Sequence, residues 1–244
     1  MIRTIIGKEL RILFASPLAW VVLAFLQFIL AWIFVARIDY FLNVQAQLSR
    51  VPNAPGLTEL AVAPVFGIAS IILMMSVPLL TMRLIAEERR NRTMAMLMSA
   101  PISMTQIVLG KFLATVIFLA IVCVLIVLMA LSLLMGGKLD YGLLLSNVVG
   151  LLLLVASFAA IGLFVSCLTT HPVVAAIGSF AILFGLWLLN IAATDPASLL
   201  HLYSLLKHFE GFTNGSIAAT DLIYFTLLIA VFLILSVRRS RRPT

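Results

Sequence analysis

The chain has 244 residues, of which 64% are hydrophobic and 10% charged, and its net charge is +7. A soluble domain carries about 25% charged residues, so a water-soluble fold could not cover this much apolar surface, and the mean hydropathy of +1.22 assigns the chain to a bilayer. The apolar runs are long and do not alternate, which excludes barrel strands of about 10 residues and calls for helices of roughly 20.

Residues 1–16 are too charged to span. Ile2, Ile5, Ile6, Leu10 and Leu13 fall on one side of a helical period and Thr4, Lys8 and Arg11 on the other, the pattern of an interfacial amphipathic helix lying on the membrane. The first span is expected over 17–36, opened by Pro17 at a position where a missing N–H costs nothing. Arg37 and Asp39 are expected to end it, and 37–59, with Pro52, Pro55 and Gly56, reads as a polar loop holding at most a short helix. The second span is expected over 60–82, with Pro78 kinking it near its end.

Residues 83–111 form a polar island between two apolar segments. Glu87, Glu88, Arg89 and Arg90 suggest a short helix over about 85–98 with a Met-rich end at Met94, Met96 and Met98. Such a surface suits docking into a groove of a soluble partner; the plainer alternative is a solvated charged loop. Ser103 and Gln106 have capping-box spacing and start a helix that runs into the third span, 107–135. The fourth, fifth and sixth spans are expected over 141–167, 173–193 and 217–237. Between the last two, Thr194-Asp195-Pro196 reads as a helix start, so that 194–216 forms an outer interfacial or re-entrant segment.

Twelve of the sixteen Lys and Arg residues fall in the N-terminal segment, the island and the tail, against Arg37, Arg50, Lys138 and Lys207 in the remaining loops. By the positive-inside rule both termini and the island are cytoplasmic. That rule accounts for the basic isoelectric point, so no nucleic-acid partner is expected. With Lys111 counted in the island, no ionisable residue falls inside the six apolar cores, which argues against ion-coupled transport. The mild polar residues there, such as Gln27, Ser70, Ser76, Asn147 and Ser157, are expected to bond within or between helices. No metalloprotease, nucleophile-elbow or phosphate-loop motif occurs, so no catalytic residue is expected. Cys123 and Cys167 lack metal or disulfide spacing, and His201 with His208 lacks a third ligand, so no metal site is expected.

Glu87-Glu88, Thr93, Leu97, Pro101, Gln106 and Gly110-Lys111 resemble the cytoplasmic loop of ABC-2 type transporter permeases. The chain departs from that pattern at Arg92, where the family usually has Gly. The stretch 203–210 with Gly215, Asp221 and Tyr224-Phe225 is similar to the gliding-motility and nitrous-oxide-reductase-maturation branch. The resemblance implies an all-α, type V exporter-like architecture of six spans in a bacterial inner membrane. It implies a permease with no cofactor of its own, since ATP and Mg would be held by a separate ATP-binding-cassette subunit. That subunit would dock on Glu87, Glu88, Arg89, Arg90, Thr93, Leu97 and Pro101. A homodimer or related permease, and a periplasmic auxiliary subunit, are further implied partners. The alternative is a membrane anchor or assembly factor that couples an ATPase to a periplasmic partner without transport.

Overall fold

A computed structural model describes residues 2–48, 55–91, 103–135, 139–192 and 204–240. Among them there are helices and no strands, and six helical segments are long and apolar enough to cross a membrane. In chain order the α-helices are α1 (Ile2–Ala15), α2 (Pro17–Leu48), α3 (Ala63–Thr81), α4 (Ala86–Arg90), α5 (Met104–Ser132), α6 (Tyr141–Leu168), α7 (Pro172–Ala192), α8 (Leu205–Thr213) and α9 (Ala219–Ser240).

The first span departs from expectation. Its helix does not end at Arg37 and Asp39 but runs 32 residues to Leu48. At 1.5 Å per residue that is about 48 Å, against a hydrocarbon core of about 30 Å. Charges end the part that lipid can surround; they do not end a helix whose residues are otherwise compatible with it. The second span opens with a π-helical turn, Thr58–Val62, just before Pro64, which has no N–H to donate back to Leu60. Its later break is not at Pro78, which lies inside α3, but at residues 82–85, between α3 and α4.

α6 is the hub, packed against α3, α5, α7, α8 and α9. Gly150, Ala156, Ala159, Ala160 and Gly162 keep its surface low, and small residues let membrane helices approach closely. Its buried faces are also polar: Ser146, Asn147, Ser157 and Ser166 are all fully buried. Most intramembrane hydroxyls bond back to their own helix, as from Ser76 to Ile72, Thr115 to Lys111 and Ser157 to Leu153. Gln27 reaches a neighbour, its Nε2 donating to Met129 Sδ.

At one end of the bundle the Asp140 N–H donates to Thr58 Oγ1 and α8 is buried against α6. Ser204 caps α8, Leu205, Phe209 and Phe212 are its buried face, and Ser146 Oγ donates to the Phe212 carbonyl. Gly150 lies beneath Phe212: a Cβ there would stand 2.5 Å from Phe212 Cβ. Gly215, at φ +82°, closes α8 in the left-handed conformation that glycine adopts without steric cost. His208 Nδ1 meets Asp221 Oδ1 at 2.7 Å, and its ring stacks on Tyr224, tying α8 to α9. His208 is thus engaged by a carboxylate; His201 and the expected helix start at 194–196 lie outside the described residues.

Candidate functional site

The opposite end gathers α1, the break between α3 and α4, and the start of α5. Ser103 begins α5 through the capping box expected of it: its Oγ accepts from the Gln106 N–H, and its own N–H donates to Gln106 Oε1. Seven residues on, α1 crosses at Gly110, where a Cβ would fall 2.6 Å from Ile5 Cγ2. α1 therefore does not only lie on a membrane surface. Its Ile5, Glu9 and Leu13, spaced four apart, are buried against the protein, and Phe14 packs edge-on against Phe118.

Glu9 is the unexpected member of that face. Its Oε1 accepts from Lys111 Nζ at 2.9 Å, and Glu88 Oε1 accepts from the same nitrogen at 2.8 Å. The Lys111 side chain is 3% exposed, that of Glu9 7% and that of Glu88 15%. One ammonium thus bridges two carboxylates on two other helices, fastening α1 and α4 to α5. Charge-assisted bonds of this length are the stronger kind, and withdrawing the group from water makes each depend on the other two.

A second fastening comes from α6. The Ile85 and Ala86 N–H groups donate to Ser166 Oγ at 3.1 and 3.0 Å, and Ser166 Oγ donates to the Met82 carbonyl at 3.1 Å. One turn earlier on α6, Gly162 faces Thr81, with no room for a Cβ between them. At the far end of α9, Ser240 Oγ donates to Cys167 Sγ. The N-terminal helix, the island and the C-terminal end of α9 therefore sit at the same end of the bundle.

Of the island residues expected to meet a partner, Glu87 and Arg90 are exposed, Arg89 is half-buried, and Glu88 turns inward to Lys111. Arg83 and Asn91 are exposed beside them. α4 supplies only the first turns of the helix expected over 85–98; Thr93, Leu97 and Pro101, with the three methionines, lie outside the described residues. A cavity of about 810 Å³ opens between α1, the start of α2, α3 and α4, walled by Ile12 and Leu80 and edged by Lys8, Arg83 and Glu87. No cluster of three metal-ligating side chains occurs among the described residues. What the arrangement offers is mechanical: a short charged helix, open on one face, whose other face is bonded to α5 and α6 and, through Lys111, linked to α1.

Glu9 and Ser166 were absent from the residues singled out by sequence. Glu9 had a readable signal, an acid one turn from Ile5 and one from Leu13 on the apolar face of an amphipathic helix. Ser166 had none, because most intramembrane hydroxyls bond their own helix, as Ser157 does, and nothing in the sequence sets Ser166 apart from them.

The family model for the ABC-2 family transporter proteins matches residues 3–242 of this chain. No curated protein matches it.

Proposed function

This chain belongs to the ABC-2 transporter family, as a multi-pass membrane permease component, and from that premise we propose that it couples a separate cytoplasmic ATPase to export. The ATPase subunit docks on the outward face of α4, with Glu87, Arg89 and Arg90 as its polar contacts, and on Thr93, Leu97 and Pro101 as the family resemblance implies. ATP and Mg belong to that subunit. Two permease copies, or this one and a related chain, form the path between them, and substrate leaves across the bacterial inner membrane. Both termini face the cytoplasm, in keeping with the gathering of twelve basic residues in the N-terminal segment, the island and the tail. A periplasmic auxiliary subunit is part of this reading through the similarity of 203–225 to one branch of the family.

The observation that carries the proposal is the bridge from Lys111 to Glu9 and Glu88. A loop that only held charge in solution would not be bonded through its carboxylate into the start of a span. A push on α4 passes to α5 and α1 through these two ion pairs, because buried pairs of fixed geometry move together or break. Glu88 is therefore assigned to transmission, and Glu87 with Arg90 to contact.

Docking is tested by charge reversal on the exposed face. Tagged wild type, Glu87→Lys with Arg90→Glu, and Lys207→Glu at the other end are purified in mild detergent, and the recovered ATPase is quantified by mass spectrometry. The double reversal abolishes recovery, and Lys207→Glu leaves it unchanged. Undiminished recovery with the double reversal refutes docking at α4. A wild-type chain that purifies with no ATPase refutes the coupling proposal, whereas an ATPase recovered with no change in its turnover favours the anchoring alternative.

A further inference from the structure

The second span is interrupted by a side chain from another helix. In an unbroken α-helix the Ala86 N–H would donate to the Met82 carbonyl and the Ile85 N–H to the Thr81 carbonyl. Here both donors turn to Ser166 Oγ, and the same hydroxyl donates to Met82. The hydroxyl is thus inserted into the Ala86–Met82 bond. A polar group entering the main-chain ladder is one of the few causes of a sharp helix break. The short α4 also lacks a cap of its own, since Ile85 at its N-cap has no side-chain acceptor, and Ser166 supplies the missing oxygen from α6.

The approach that permits this is built into α6. Ser is the shortest hydroxyl side chain, and it reaches the break because Gly162, one turn away, lets the α3 backbone and Thr81 come against α6. Pro78 lies seven residues before Ile85 and inside α3, so it does not account for the location of the break.

We propose that Ser166 is the positioning residue that sets where the second span breaks and how α4 leaves it, so that the fourth span and α4 move as one body. The Lys111 bridge then holds α4 to the third span and α1, and Ser166 holds it to the fourth. The coupling half of this inference rests on the permease reading; the geometric half does not.

The test uses the full chain in lipid nanodiscs, as wild type, Ser166→Ala, Ser166→Thr and Gly162→Ala. Amide hydrogen exchange is followed over residues 80–91 and, as an internal reference, over 118–129. In Ser166→Ala the Ile85 and Ala86 amides exchange at least tenfold faster while the reference is unchanged. Ser166→Thr, which keeps the hydroxyl, stays within twofold of wild type, and Gly162→Ala, which pushes the hydroxyl away, behaves like Ser166→Ala. Equal exchange in Ser166→Ala and wild type, or acceleration that includes the reference, overturns the inference. The second readout is ATP turnover of the complex recovered with each variant, relative to its free ATPase. Ser166→Ala loses the permease-dependent change in turnover with the recovered amount of ATPase unaltered, and Ser166→Thr restores it. Turnover that follows wild type despite faster local exchange overturns the coupling half. If the wild-type chain recovers no ATPase, the permease reading fails, while the exchange result still decides the role of Ser166.

Discussion

Replacing Lys111 with Met removes one charge and leaves two carboxylates facing each other with little water. Glu9 is 7% exposed at its side chain and Glu88 15%, so both lose their shared partner in a site that cannot hydrate them freely. Breaking a buried pair by deleting one partner costs about 3–5 kcal/mol, most of it the uncompensated charge left behind. Glu9 should bear the larger share, because Glu88 lies nearer to solvent. For a chain of this size, about 2–4 °C of melting temperature goes with each kcal/mol, so Lys111→Met should fall by about 6–20 °C. The assay is thermal unfolding of the detergent-solubilised chain at one fixed heating rate, followed by fluorescence-detected gel filtration. Arg90→Met is the control, on the short helix that carries Glu88 but exposed, and exposed substitutions usually stay within about 0.5 kcal/mol. Lys111→Arg keeps the charge and should lie between them, limited by the added bulk. If Lys111→Met melts with the Arg90→Met control, the bridge is not a buried, mutually dependent unit and the transmission argument fails with it.

Gly110→Leu should displace α1, since even a Cβ meets Ile5 at 2.6 Å; cysteine cross-linking between α1 and α5 should fall, and Ile5→Ala should partly restore it. Gly150→Ala should lift α8 from α6 at a cost of about 1–3 kcal/mol, the usual range for overpacking a filled site, seen as faster proteolysis between residues 204 and 216. Asp221→Asn should loosen the same helix by weakening its contact with His208, with the start of α5 unaffected in hydrogen exchange. A cysteine introduced at Arg90 should react with a membrane-impermeant maleimide only in inverted vesicles, and one at Ser216 only in right-side-out cells; the reverse pattern refutes the assigned orientation.

The spans were legible because lipid demands it. A run of apolar residues long enough to cross must satisfy its own backbone, and the helices α3, α5, α6, α7 and α9 lie close to the runs that predict them. The capping box at Ser103 was equally readable, since its two bonds are local. The end of α2 was not, because Arg37 and Asp39 mark the limit of hydrocarbon and say nothing about the helix beyond it. Pro78 misled for a related reason: proline supplies a local cause of bending, while the actual break is made by Ser166, 81 residues away from Ile85. Glu88 read as a docking contact because charged residues on a short polar stretch normally face water. Its inward turn follows Lys111, which is itself buried and bonded to Glu9 of α1.

The choice of charge for that bridge is informative. Three apolar side chains of similar volume would hold α1, α4 and α5 together at least as well, and replacing a buried ion triad in this way is often neutral or stabilising by about 1–4 kcal/mol. What apolar side chains do not supply is a unique register, because they tolerate sliding, whereas an ammonium held at 2.9 and 2.8 Å by two carboxylates does not. The triple replacement Glu9→Leu, Lys111→Met, Glu88→Leu separates the two roles. Its melting temperature should return to that of the wild type or above, while ATP turnover of the complex should lose its dependence on the permease. Recovery of both properties would mean that the bridge only packs the bundle end together. Recovery of stability alone assigns the charges to keeping α4 in step with the helices it has to move.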